Sequence, residues 1–289
     1  MCKRLSLSAC LSLLLAAVTV ASCSRKEPEE PPVATATLKL SKERVAIGSP
    51  LTLTYRFEVA QNASFDGDYT VFVHVLDPEG EQLWTDDHMP PQPTSSWKGG
   101  QTIEYSRTVF VPNYPYIGPA EIRLGLYAQA TGRRLVLSAE QGPRREYTVA
   151  RFQLVPQSEN VFLIYKDGWH PAEVSPENAA VEWQWTRKTA TISFRNPRKA
   201  STLFLEFDAR PDKFTPPQQI TIRVGSHVVG TATADNKDRK LMTFPITPAQ
   251  LGTGDMAELT IEVDRTFVPG GGDTRELGIR VYHVFLEPR

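Results

Sequence analysis

Asp86-Asp87-His88 is the one place where two carboxylates and an imidazole adjoin along the chain. Carboxylates suit calcium and imidazole suits transition metals, so the triplet could hold a metal or contact a sugar from a strand-end loop. Adjacent residues rarely all reach one ion, however. The prolines at 90, 91 and 93 imply a stiff loop whose Asp side chains cap its own amides. Trp169, beside His170 and Pro171, could present an aromatic face on which a sugar ring packs its C–H side. Trp183 and Trp185 lie two apart and so share one face of a strand, which reads as a core face. Asp264, Asp273, Arg275 and Glu276 bracket Gly270-Gly271-Gly272. Either they bind sugar hydroxyls or calcium, or Arg275 pairs with Asp264 or Asp273 in bidentate fashion and pins the loop to the sheet edge. The expected ligand-binding residues are therefore Trp169, His170, Asp273, Arg275, Asp86, Asp87 and His88, with no resident metal or cofactor, calcium being the ion the acidic loops would suit.

Catalysis finds little support. The sequence holds no Gly-x-Ser-x-Gly elbow, no His-Glu-x-x-His, no P-loop and no dinucleotide-binding glycine pattern. The five histidines (74, 88, 170, 227, 283) are scattered. Paired carboxylates for glycoside hydrolysis are a matter of spacing in three dimensions, about 5–9.5 Å, and sequence does not decide it. The expectation is a protein that is not an enzyme, with a hydrolase as the outlying alternative.

The N-terminus sets the compartment. Lys3 and Arg4 form a short basic head, Leu5 to Val20 an uncharged, largely apolar run, and Val20-Ala21-Ser22-Cys23 closes the segment. This is the layout of an export signal. Its last four residues resemble the lipobox of bacterial lipoproteins, which implies lipidation of Cys23 and cleavage before it. Of the three cysteines (Cys2, Cys10, Cys23) only Cys23 would then remain. No disulfide could form in the folded part, and stability outside the cytoplasm must come from packing. Several acyl groups, as the resemblance implies, anchor durably where one would not. Ser24 favours the outer membrane under the sorting rule of enteric bacteria.

Loss of residues 1–22 removes two basic residues and no acid, so the formal charge moves from −1 to −3. A near-neutral, mixed surface excludes a basic stripe for nucleic acid. Residues 23–33, charged and proline-rich, read as an extended tether of roughly 30 Å. The length beyond it suits two domains.

The elements that must carry these residues are strands. Leu51, Leu53, Tyr55, Phe57 and Val59 alternate with polar residues, and Tyr69 to Leu76 is apolar on both faces. About eight short strands over 34–155 predict an immunoglobulin-like β-sandwich, and another eight over 156–289, with one helical turn at Thr247–Gly252, predict a jelly roll. The fold class expected is all-β, two tandem β-sandwiches.

Two resemblances sharpen this. Val71 to Gly80, Asp86-Asp87-His88 with its prolines, Thr94 to Trp97 and Arg123 to Tyr127 resemble a β-sandwich module at the C-terminus of bacterial membrane glycosyltransferases of the mannosyltransferase type. That likeness covers roughly 50–137 and implies an accessory domain facing outward. Gly168-Trp169, Trp183-x-Trp185-Thr186, Asp264 to Pro269 and Asp273 to Gly278 resemble the galactose-binding-like sandwich that often accompanies them. It covers most of 165–288. Together they imply a cell-envelope lipoprotein held to the bilayer through acylated Cys23, binding a glycan or docking an envelope protein.

Overall fold

The computed structural model describes residues 30–113, 116–156, 161–178, 181–235 and 237–289. The segment 1–22 expected to be an export signal, Cys23 and most of the stretch 23–33 expected to be a tether lie outside the described residues. Pro32–Arg289 forms one compact unit. Among the described residues it is all-β, with one α-helical turn, three short 3-10 turns and no helix long and apolar enough to cross a membrane.

The first half runs β1 (Ala34–Leu40), β2 (Arg44–Ala46), β3 (Pro50–Val59), β4 (Thr70–Leu76), β5 (Gln82–Thr85), β6 (Thr102–Phe110), β7 (Gly118–Tyr127), β8 (Leu137–Ser138), β9 (Glu140–Gln141) and β10 (Tyr147–Val155). One sheet has the order β6-β3-β1-β8; the other runs β2-β10-β7-β4-β5, with β9 on β10. The alternation read from sequence decides which side faces in: Leu51, Leu53, Tyr55, Phe57 and Val59 are buried, while Thr52 and Thr54 bond across to Thr108 and Ser106 on the outer side at 2.9 Å. Strand β4 is buried on both faces because Val71, Val73 and Val75 enter the core while Phe72 lies under the Arg134 guanidinium, 4.4 Å from its centroid. Gly125 makes room for that ring, since a Cβ there would come within 2.4 Å of it.

The second half runs β11 (Leu163–Tyr165), β12 (Glu173–Val174), β13 (Glu182–Trp185), β14 (Thr189–Arg195), β15 (Ser201–Asp208), β16 (Gln218–Val224), β17 (His227–Ala234), β18 (Lys240–Ile246), α1 (Pro248–Leu251), β19 (Met256–Val263) and β20 (Arg280–Pro288). Its sheets have the orders β11-β14-β19-β16-β17 and β12-β13-β20-β15-β18. Thr247 caps α1 in a capping box with Gln250, Pro248 follows, and Gly252 ends the turn at φ 70°. A second apolar core, separate from the first, gathers Phe194, Leu205, Phe207, Ile220, Ile261 and Val281.

Two ends of the first sandwich have different neighbours. At one end the chain enters: Val33 donates to the Val136 carbonyl at 2.9 Å, and Ala34 pairs with Val59. At the other end Leu40 pairs with Leu53, Pro50 with Phe110, and the second half of the chain is met there. The Phe110 ring stacks on His283, and Lys42 forms an ion pair with Glu287. The ten residues of β3 span roughly 30 Å, which separates the entering chain from the second sandwich.

Candidate functional site

The residues expected to bind are held by the protein itself. Asp86, 9% exposed at its side chain, accepts two bonds from Arg107 at 2.9 and 2.8 Å and one from the Tyr55 hydroxyl at 3.1 Å. Asp87 accepts from the Val73 amide at 2.9 Å, as a loop-capping Asp does. The His88 Nδ1 donates to the Asp86 carbonyl at 2.6 Å, which fixes the tautomer and leaves Nε2 to accept from the Tyr105 hydroxyl at 2.8 Å. Burial lowers the His88 pKa from its ordinary value and raises those of Tyr55 and Tyr105. All three groups stay neutral at neutral pH, and the cluster is a polar plug along the side of the sandwich where the edge strands β5 and β6 lie. Among the described residues no group of three or more His, Cys, Asp or Glu gathers to hold a metal ion.

Trp169 and His170 lie in the second sandwich, away from that triplet. The Trp169 indole N–H donates to the Thr191 carbonyl at 2.9 Å, and its ring meets Tyr165 edge-on at 4.8 Å. Gly168 (φ +82°) turns the chain there; a Cβ would sit 1.8 Å from the Thr189 carbonyl oxygen. His170 is buried and donates through Nε2 to the Glu276 carbonyl at 2.9 Å. Arg275 does pin its loop: Nε and Nη2 bond Asp273 at 3.0 and 2.8 Å, and Nη1 reaches Glu173 at 2.5 Å. The Arg275 bonds hold the Asp273 pKa at about 2. Asp264 instead accepts from the Gln219 amide and pairs with Arg265.

The burial expected of the tryptophan pair is found at Trp185 and not at Trp183. Trp185 pairs with Arg280, one residue before the core residue Val281, so both indoles lie on the outer side of their sheet. Phe267, itself packed edge-on against Phe214, covers Trp185, whereas Trp183 stays half-buried. Around Trp183 the sheet gathers a shelf that sequence reasoning did not find. The Arg280 guanidinium lies 5.1 Å from the Trp183 centroid and bonds Asp208, 2% exposed, through two nitrogens. The Tyr282 hydroxyl donates to the same carboxylate at 2.7 Å, and burial and Asp208 together push its pKa up to about 12. Trp183 and Tyr282 lie 5.9 Å apart with planes tilted 59°. The Trp183 N–H donates to Glu173 at 3.1 Å, which ties the shelf to Arg275 and Asp273. One aromatic face lined by bound carboxylates and guanidiniums can stack a ring and exchange hydrogen bonds with hydroxyls; a nucleophile with an adjacent base is not part of it. The signal in sequence was the alternation Arg280-Val281-Tyr282, two polar-tipped residues around a core valine.

No family model matches the chain, and no curated protein matches it. Among solved structures it is similar to an alkylpurine DNA glycosylase of Pseudomonas fluorescens bound to DNA, at 13% identity and a TM-score of 0.29, over 44% of this chain and 31% of that one. It is also similar to a β-glucuronidase of Bacteroides uniformis, at 11% identity and a TM-score of 0.27, over 88% of this chain and 30% of that one. The chain spans about a third of the length of each structure it matches. Likenesses this slight carry no functional argument.

Proposed function

We propose that this chain is a membrane-anchored cell-envelope lipoprotein and a non-catalytic binding module for a glycan, with the shelf on Trp183 and Tyr282 as its binding face. The observation that carries the reading is that shelf: two half-buried aromatics on an outer sheet face, framed by the Arg280–Asp208 and Arg275–Glu173 pairs. Acylation of Cys23 supplies the anchor, as the N-terminal pattern implies. The first sandwich then serves as a spacer, since the chain enters at one end and the second sandwich is carried at the other.

The test is titration of the full chain with envelope polysaccharides, alongside mass analysis of residue 23. Binding reduced at least tenfold in Trp183→Ala, and a lipid-modified Cys23, support the reading; absence of either removes the corresponding half of it. Docking of an envelope protein is the second reading, and one observation favours it: Phe162 and Met256, 65% and 46% exposed, flank Arg195 beside the edge strand β11. A co-purifying protein lost in Phe162→Ser would move the function to that edge.

A further inference from the structure

The shelf is electrically lopsided. At the Glu173 end, one guanidinium serves two carboxylates, Arg275 between Glu173 and Asp273. In the middle Arg280 and Asp208 cancel. At the far end Arg239 lies with its guanidinium 4.2 Å from the Tyr282 centroid, and an aromatic ring is its partner in place of a carboxylate. Two acids of the neighbouring loops are committed, Asp212 to Arg210 at 2.9 Å and Asp235 to Lys240 at 3.3 Å, while the exposed Asp238 adjoins Arg239 in sequence and follows Lys237. A cation resting on an aromatic face keeps its in-plane N–H donors for a bidentate acceptor.

From this polarity we infer that the shelf takes an acidic glycan, a chain of uronic acid residues, with a sugar carboxylate on Arg239 and ring hydroxyls toward Glu173 and Asp273. This rests on the glycan-binding reading and deepens it. Arg239 is exposed, so its guanidinium can meet a sugar carboxylate without first being stripped from a protein carboxylate. Glu173 and Asp273 accept from hydroxyls but repel a carboxylate, which sets the direction in which the sugar lies.

The experiment titrates the full chain with a uronic acid oligosaccharide and with its carboxyl-reduced, neutral counterpart, at low and high salt. The expected result is at least a tenfold preference for the acid, as a charge-assisted hydrogen bond gives roughly tenfold or more. That preference should shrink with salt and disappear in Arg239→Gln through loss of affinity for the acid. Equal affinity of the native chain for the two sugars overturns the inference and leaves glycan binding standing. So does a preference that survives in Arg239→Gln. If neither sugar binds, the glycan reading fails and the inference falls with it. Arg239 is exposed on a loop, and an unchanged melting temperature would exclude unfolding as the cause.

Discussion

Phe110 and His283 stack face to face across the junction of the two sandwiches, with centroids 4.2 Å apart and planes 7° from parallel. The imidazole is held for this contact by a bond from its Nδ1 to Glu206 at 2.7 Å. Lys42 and Glu287 close the same junction. These contacts join the first sandwich to strand β20, which carries Tyr282 of the shelf.

Phe110→Ala and His283→Ala should each loosen the junction, and the double variant should lose less than the sum. An aromatic pair is worth about 0.5–1.5 kcal/mol beyond its buried area, so the coupling in a double-mutant cycle should be about 1 kcal/mol. Urea unfolding of the four proteins measures it. A coupling of zero would mean that the rings touch without holding the halves together.

Asp208→Asn should destabilise the second sandwich by about 3 kcal/mol, because it leaves the Arg280 charge without its counter-ion beneath two indoles. Asp208 accepts from Tyr282 as well, so the loss reaches the shelf. The midpoint of urea denaturation reads the effect, and a change within 0.5 kcal/mol, as for about any surface site, would contradict the buried pairing.

The pin at Arg275 has a definite pH window. The Asp273 pKa lies at about 2 in the folded chain, below its ordinary 3.8, because the Arg275 side chain and amide bond the carboxylate. A lowered acid stabilises the fold above its unfolded value and loses that contribution as pH falls toward about 2. The carboxyl resonance of Asp273 should titrate near the lower value, and in Arg275→Gln it should move back toward the ordinary one. A native-chain midpoint at the ordinary value would mean the pin is not formed in solution.

His88 gives a window of the opposite kind of group with the same slope. Burial keeps it neutral, its pKa lowered from 6.5, while the unfolded chain protonates it. Stability of the first sandwich should therefore fall as pH drops below about 6.5, until the folded imidazole itself takes up a proton. The fall should flatten in His88→Gln, followed by thermal melting between pH 7 and 5. An equal fall in both proteins would place the titration elsewhere.

Much of this architecture was legible in the chain because period-two patterns report burial directly. Pro50–Val59 buries alternate residues as its side chains alternate, and the Thr247-Pro248 start and Gly252 stop of α1 follow from backbone chemistry. Strands of two or three residues, such as Arg44–Ala46 and Glu140–Gln141, carry too little pattern to read and form because a long neighbour supplies their hydrogen bonds. The pin of Arg275 to Asp273 was readable because the two lie two residues apart. Glu173 was not, being 102 residues from Arg275, and Asp208 lies 72 from Arg280. Trp183 and Trp185 were rightly placed on one face, but which side of a sheet faces water is decided by the partner strand and by the Phe267 loop that covers one of them.

The most direct measurement of the central claim is calorimetric titration of the full chain with envelope polysaccharide, native against Trp183→Ala and Glu173→Gln. Saturable binding by the native chain, weakened at least tenfold in both variants with their melting temperatures within a few degrees of native, is the outcome the shelf requires. No heat of binding from any envelope polysaccharide, or native affinity in both variants, would contradict it.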